Sequence, residues 1–157
     1  MKRMQQASDD RIATVAACTP IGLPRNQKNR SDVLTPGEWN RLARWLVETG
    51  QRPGALLFSG IVSDLESSHL EPTLKRKARS IAERASTTLT AIEALEELGI
   101  WVRCRADSDY PIKWKQRLKS VAPPAFFGIG DIGMFDSVSV AIIGSRDVTP
   151  IDRKSVV

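Results

Sequence analysis

Val138-Ser139-Val140-Ala141-Ile142-Ile143-Gly144-Ser145-Arg146-Asp147-Val148-Thr149-Pro150 is the stretch on which the reading of the fold turns. Val138 to Ile143 is a short apolar run rich in β-branched residues, interrupted once by Ser139, and it suits a strand buried on both faces. It runs directly into Gly144-Ser145-Arg146. Thr149 then stands as an N-cap, Pro150 as a first helical residue, and Asp152 where a carboxylate complements the helix dipole. The pattern predicts a strand, a tight glycine turn and a helix start. Such geometry aims backbone N–H groups and a positive dipole end at one spot, which is an anion site. Ser145 and Thr149 can donate hydroxyl hydrogen bonds there, and Arg146 adds a planar fork that matches phosphate. A solvated arginine at a strand-to-helix turn is the plainer reading, and the tripeptide by itself does not separate the two.

The bulk properties frame that stretch. A chain of 157 residues has room for about one domain, and 41% hydrophobic with 26% charged residues is ordinary for a globular protein. The formal net charge of +5 admits an acidic partner without requiring one. Cys18 and Cys104 are far apart and His69 is the single histidine. No metal-ligand spacing and no histidine-based triad exists, so no catalytic residue, metal or cofactor is expected. A reduced, cytoplasmic setting fits this cysteine usage. Met1-Lys2-Arg3 followed by Ile12–Cys18 mimics a secretory signal, and Val15-Ala16-Ala17-Cys18 resembles a lipoprotein cleavage site. Asp9, Asp10 and Arg11 stand immediately before that run, and Thr14, Thr19 and Pro20 interrupt it, so it falls short of the roughly 7–15 apolar residues of a signal. The reading is no signal and no membrane span.

Taken in order, residues 1–33 read as a poorly ordered leader, broken by Pro20, Gly22 and Pro24 and carrying the basic run Arg25–Arg30. Residues 34–99 read as a helical domain. Thr35, Pro36 and Glu38 make a capped start, Trp39, Leu42, Ala43, Leu46 and Val47 recur at helical spacing, and Gly50 is the stop. Residues 51–60 are a connector. Pro72–Ala85 is a second helix with Lys75, Arg76, Lys77, Arg79 and Arg84, whose cations suit a phosphate backbone and a solvated face equally well. A third begins near Ser86 or Thr87 with Leu89, Ile92, Leu95 and Leu98 on one face, ending at Gly99. From residue 100 the pattern changes. Ile100–Arg105 alternates like a strand with one wet face. Pro111–Lys119 is a short helix with Trp114 and Leu118 inward, and Lys113, Lys115, Arg117 and Lys119 around the rest without one acid. Pro123-Pro124 forces extension into a second short strand, Ala125–Gly128.

Together these landmarks resemble the DprA/Smf DNA-processing family. Tyr110-Pro111, the basic turn with Leu118, Ala122-Pro123-Pro124-Ala125-Phe126-Phe127-Gly128, and Val140-Ala141-Ile142-Ile143-Gly144-Ser145-Arg146 with Thr149 follow that family's order of motifs. The likeness covers roughly residues 34–149. It implies an α/β protein: an N-terminal helical domain, then over 100–157 the first strands of an incomplete Rossmann-like domain. It also implies binding of single-stranded DNA during uptake and recombination, loading of a RecA-type recombinase, and a homodimer in the full-length form. The family's phosphate contacts fall on Gly144, Ser145 and Arg146, with Thr149 at the Ser/Thr position; Lys113, Lys115 and Arg117 are the neighbouring DNA-binding candidates. Only eleven residues follow Arg146, whereas each crossover of a Rossmann-like sheet needs about 30. The chain therefore reads as the front portion of a longer protein or a truncated frame. A phosphoribohydrolase-type enzyme is a competitor that lacks its downstream Gly-rich loop and Arg/Glu pair here. A helical protein-interaction module with an inert Rossmann remnant is the serious rival.

Overall fold

The computed structural model describes residues 2–23 and 32–138. Its first helix, α1 (Lys2–Cys18), is the centre of the fold. Ala13, Ala16 and Ala17 face one hydrophobic cluster, with Trp39, Leu42, Leu46, Leu74 and Ile81. Ile12 and Val15 face a second, with Ile92 and Val102. A helix that is apolar on two sides must be buried, and Ala13, Val15, Ala16 and Ala17 are all 0% exposed.

The poorly ordered leader expected over residues 1–33 is therefore corrected for residues 2–18. The polar residues of this helix are satisfied within the fold, Asp10 and Arg11 by partners remote in sequence. Asp10 is buried and accepts hydrogen bonds from Arg52 Nε (2.7 Å) and Gly54 N (2.8 Å). Thr14 Oγ1 donates back to Asp10 O at 2.7 Å. Arg11 donates through Nε and Nη2 to Asp107 at 3.1 and 3.0 Å. Gly54 lets the chain pass close to α1, since a Cβ there would lie 2.9 Å from Asp9 Cβ.

The helix α2 (Pro36–Glu48) starts as its sequence predicts, with a reciprocal capping box between Thr35 and Glu38. Its buried face holds Trp39, Leu42, Trp45 and Leu46, while Val47 lies outside it. The connector forms 3₁₀ turns at Pro53–Leu57 and Ser59–Ile61, leading into α3 (Val62–Ser67). The helices α4 (Pro72–Glu83) and α5 (Ala85–Glu97) meet at Arg84. On α5 the inward residues are Thr88 and Ile92, with Leu95 partly covered, whereas Leu89 and Leu98 are exposed. The predicted leucine face is thus rotated towards Thr88.

After Gly99, which holds φ +74°, the chain enters β1 (Ile100–Cys104), paired antiparallel with β2 (Ala125–Ile129). Val102 and Cys104 are buried, with Val102 packed against Ile12, Val15 and Ile92. The other face was expected to be wet. Instead Trp101 lies across Gly128, its ring filling the space a Cβ would need, and packs edge-on against Phe126 at 5.4 Å. The described residues thus combine helices with one two-stranded antiparallel sheet. The buried strand expected over residues 138–143 falls, apart from Val138, outside the described residues. At Gly99 the chain turns from α5 into β1, and α1 packs against residues from both sides of that turn, Ile92 before it and Val102 after it.

Removing a buried acceptor leaves its donors unsatisfied. Asp10→Ala should lower stability by about 2–3 kcal/mol, and Gly54→Ala by about 1–3 kcal/mol through overpacking. Arg52→Ala should cost less, because the Arg52 side chain is half in water. Urea denaturation of the three variants measures the order, and an unchanged midpoint for Asp10→Ala would refute this account of the core.

Candidate nucleic-acid interface

Four of the seven candidate DNA contacts, Gly144, Ser145, Arg146 and Thr149, lie outside the described residues. The other three, Lys113, Lys115 and Arg117, sit together on α6 (Ile112–Leu118). Contacts to other segments hold both ends of that helix. Tyr110 is buried and its hydroxyl donates to Pro123 O at 2.8 Å, fastening the chain before Pro111 to the chain before β2. At the other end Lys119 adopts φ +48°, a left-handed conformation that a side-chain-bearing residue adopts only at a cost. Asn40 Nδ2 donates to Ser120 O at 2.9 Å and ties this end to α2.

Aromatic packing holds α6 over the sheet. Trp114 lies 4.9 Å from both Phe126 and Phe135, and Tyr110 stands edge-on to Phe126 at 5.3 Å. Such contacts between ring edges and faces follow from the ring quadrupole. Lys115 Nζ lies 5.2 Å from the Tyr110 ring centroid, a cation–π contact. Beside this cluster a groove of about 720 Å³ runs between α6 and the 3₁₀ turn Ile132–Asp136. Lys113 and Arg117 form one wall row, Trp114 and Leu118 the next, each pair one helical turn apart, and Met134 and Phe135 face them. Lys113 Nζ donates to Ser137 O at 3.3 Å at one end.

The cations of the two basic helices are used differently. On α4, Arg76 pairs with Asp32 at 2.9 Å, Lys77 with Glu38 at 2.8 Å and Arg79 with Glu66 at 2.6 Å. Lys75 Nζ donates to the carbonyls of Glu66 and Ser68, both at 2.7 Å, and Arg84 is buried. That face is held by internal partners, which weighs against its tracking a phosphate backbone. On α6 and just beyond it, among the described residues, no carboxylate lies within ion-pair distance of Lys115, Arg117 or Lys119.

Sequence reasoning missed the part that Trp101, Tyr110 and Phe135 play in seating α6. The signal was present: six of the nine aromatic residues fall between 101 and 135. Burial pushes the Cys104 thiol up to about 12 and raises Cys18 strongly as well. Among the described residues no cluster of three or more metal-ligating side chains occurs, and no helix is long and apolar enough to cross a membrane. No protein-family model, curated protein or solved structure matches the chain.

The capping box adds a titration. Desolvation pulls the Glu38 carboxyl up, but hydrogen bonds from Lys77 and Thr35 outweigh it and hold Glu38 below the ordinary carboxylate value. A depressed folded value contributes stability above the unfolded pKa, and that stability is lost as pH falls through the folded one. Thermal melts across acidic pH should show this loss setting in below about pH 4.3. The Glu38→Gln variant should be less stable at neutral pH and flatter across that window; parallel curves would exclude Glu38 as a contributor.

Proposed function

We propose that this chain binds single-stranded DNA in DNA processing, uptake and recombination, as its resemblance to the DprA/Smf family implies, with α6 as a contact surface. The observation that carries the reading is the set of cations Lys115, Arg117 and Lys119, without carboxylate partners among the described residues, beside a groove lined by Trp114 and Phe135. Proteins that hold an unpaired strand combine a positive surface for the phosphates with aromatic rings for the bases. The strained backbone at Lys119 fits the same picture, since strain concentrates where a residue is needed in place.

The finer parts of the reading rest on the family likeness: a Rossmann-like domain with its anion turn at Gly144, Ser145, Arg146 and Thr149, delivery of the strand to a RecA-type recombinase, a homodimeric full-length form, a cytoplasmic setting and no catalysis. A solvated turn with no ligand is what the plainer reading of Gly144-Ser145-Arg146 predicts. Arg146→Ala separates the two, because only an anion site loses affinity when its guanidinium is removed.

Fluorescence anisotropy with a labelled oligonucleotide, titrated with salt, tests the proposal. Lys115→Glu combined with Arg117→Glu should weaken binding roughly tenfold or more, and reduce the slope of log K against log salt by about 1.4. Arg76→Gln on α4 should leave the slope unchanged. Binding by the wild type that does not respond to salt, or an α6 double variant that binds as well as the wild type, would overturn the reading.

A further inference from the structure

We propose that a trough between α2, the turn at Pro53 and the turn after β1 is a separate binding site, one that takes a short acidic peptide bearing a bulky apolar side chain. The trough encloses about 450 Å³, within the range of small-ligand sites. Trp39, Ala43 and Val47 of α2 form one wall and Pro53 closes it. Val47 is 76% exposed, an apolar side chain that the fold leaves uncovered next to an apolar cleft. Arg44 and Arg105 stand at the rim, and no carboxylate is among the lining residues.

The charge around the trough is what selects the occupant. Arginines nearby are matched by acids: Arg11 by Asp107, Arg41 by Glu71, Arg52 by Asp10 and Arg103 by Asp109. Among the described residues, Arg44 and Arg105 have no such partner. Glu48, one turn along α2 from Arg44, is not within ion-pair distance of it. Two planar guanidinium forks at the rim of an apolar cleft complement carboxylates on either side of an apolar anchor. An unpaired nucleic acid fits less well. Base stacking needs an open ring face, and Trp39 is only 6% exposed. The groove-and-anchor arrangement is how folded domains capture short peptide segments. The proposal stands whether or not α6 binds DNA.

Anisotropy with the full chain and labelled synthetic peptides tests it. One peptide sets a leucine and a phenylalanine among aspartates; a second replaces the aspartates by lysines; a third replaces the two apolar residues by serines. The acidic-apolar peptide should bind and the other two should not. Arg44→Glu with Arg105→Glu should weaken binding at least tenfold, and Val47→Asp, on an exposed position, should do the same while keeping the thermal midpoint. The α6 double variant should bind the peptide as the wild type does. No binding of the acidic-apolar peptide, equal binding of the lysine version, or full binding by the Arg44/Arg105 variant overturns the proposal. So does displacement of the peptide by an oligonucleotide whose own binding requires Arg44 and Arg105.

Discussion

A carboxylate that water does not reach sits at the junction of the fold. Asp10 is 0% exposed, and leaving such a charge unpaired costs several kcal/mol, so its surroundings are constrained to supply donors. The supply comes from one short stretch, Arg52 and Gly54, which must approach α1 closely enough for a backbone N–H to reach the carboxylate. Small side chains on α1 and the missing Cβ of Gly54 permit that approach. The neighbouring residue acts on another side of the helix. Arg11 forks onto Asp107, which also accepts from the backbone N–H of Cys104 at 2.7 Å. Two consecutive residues therefore fasten α1 to the connector after α2 and to the turn after β1, and the two hydrophobic clusters close around those clasps.

What could be read from sequence divides along the distance over which residues interact. The start of α2 was legible because the capping box is complete within Thr35 to Glu38, and the junction near Ala85, the short basic helix and the two strands follow from local breakers and alternation. The central role of α1 was not legible. Asp9, Asp10, Arg11 and Thr14 look like a solvated surface until Arg52 and Asp107, 42 and 96 positions away, are placed beside them. The inward face of α5 failed for a related reason. Gly22 packs so closely on Thr88 that a Cβ there would sit 2.8 Å from the threonine hydroxyl, and this contact turns Leu89 outward. For the candidate site, the acid-free character of Lys113–Lys119 was visible directly, whereas the aromatic platform beneath it required knowing that Trp101 and Phe135 meet.

The fold also shows why a net charge is a poor guide to a binding surface. The excess of +5 is spread over the sequence, and the cationic run on α4 is held by internal partners, carboxylates for Arg76, Lys77 and Arg79 and backbone carbonyls for Lys75. Pairing removes those cations from the pool available to a ligand. Among the described residues, two groups of unmatched cations stand out, one at α6 and one at the rim of the trough on α2; an aromatic cluster lies beside the first and a mainly aliphatic wall beside the second.

The clasp between Arg11 and Asp107 has a bearing on how the chain comes to be folded at all. A ribosome adding about 5–20 residues per second needs roughly 5–20 s to travel between those two positions. Until the end of that interval Ile12 and Val15 lack Val102, so one side of α1 waits with its cover incomplete. Closure of the core around α1 thus waits for the second half of the chain to be made.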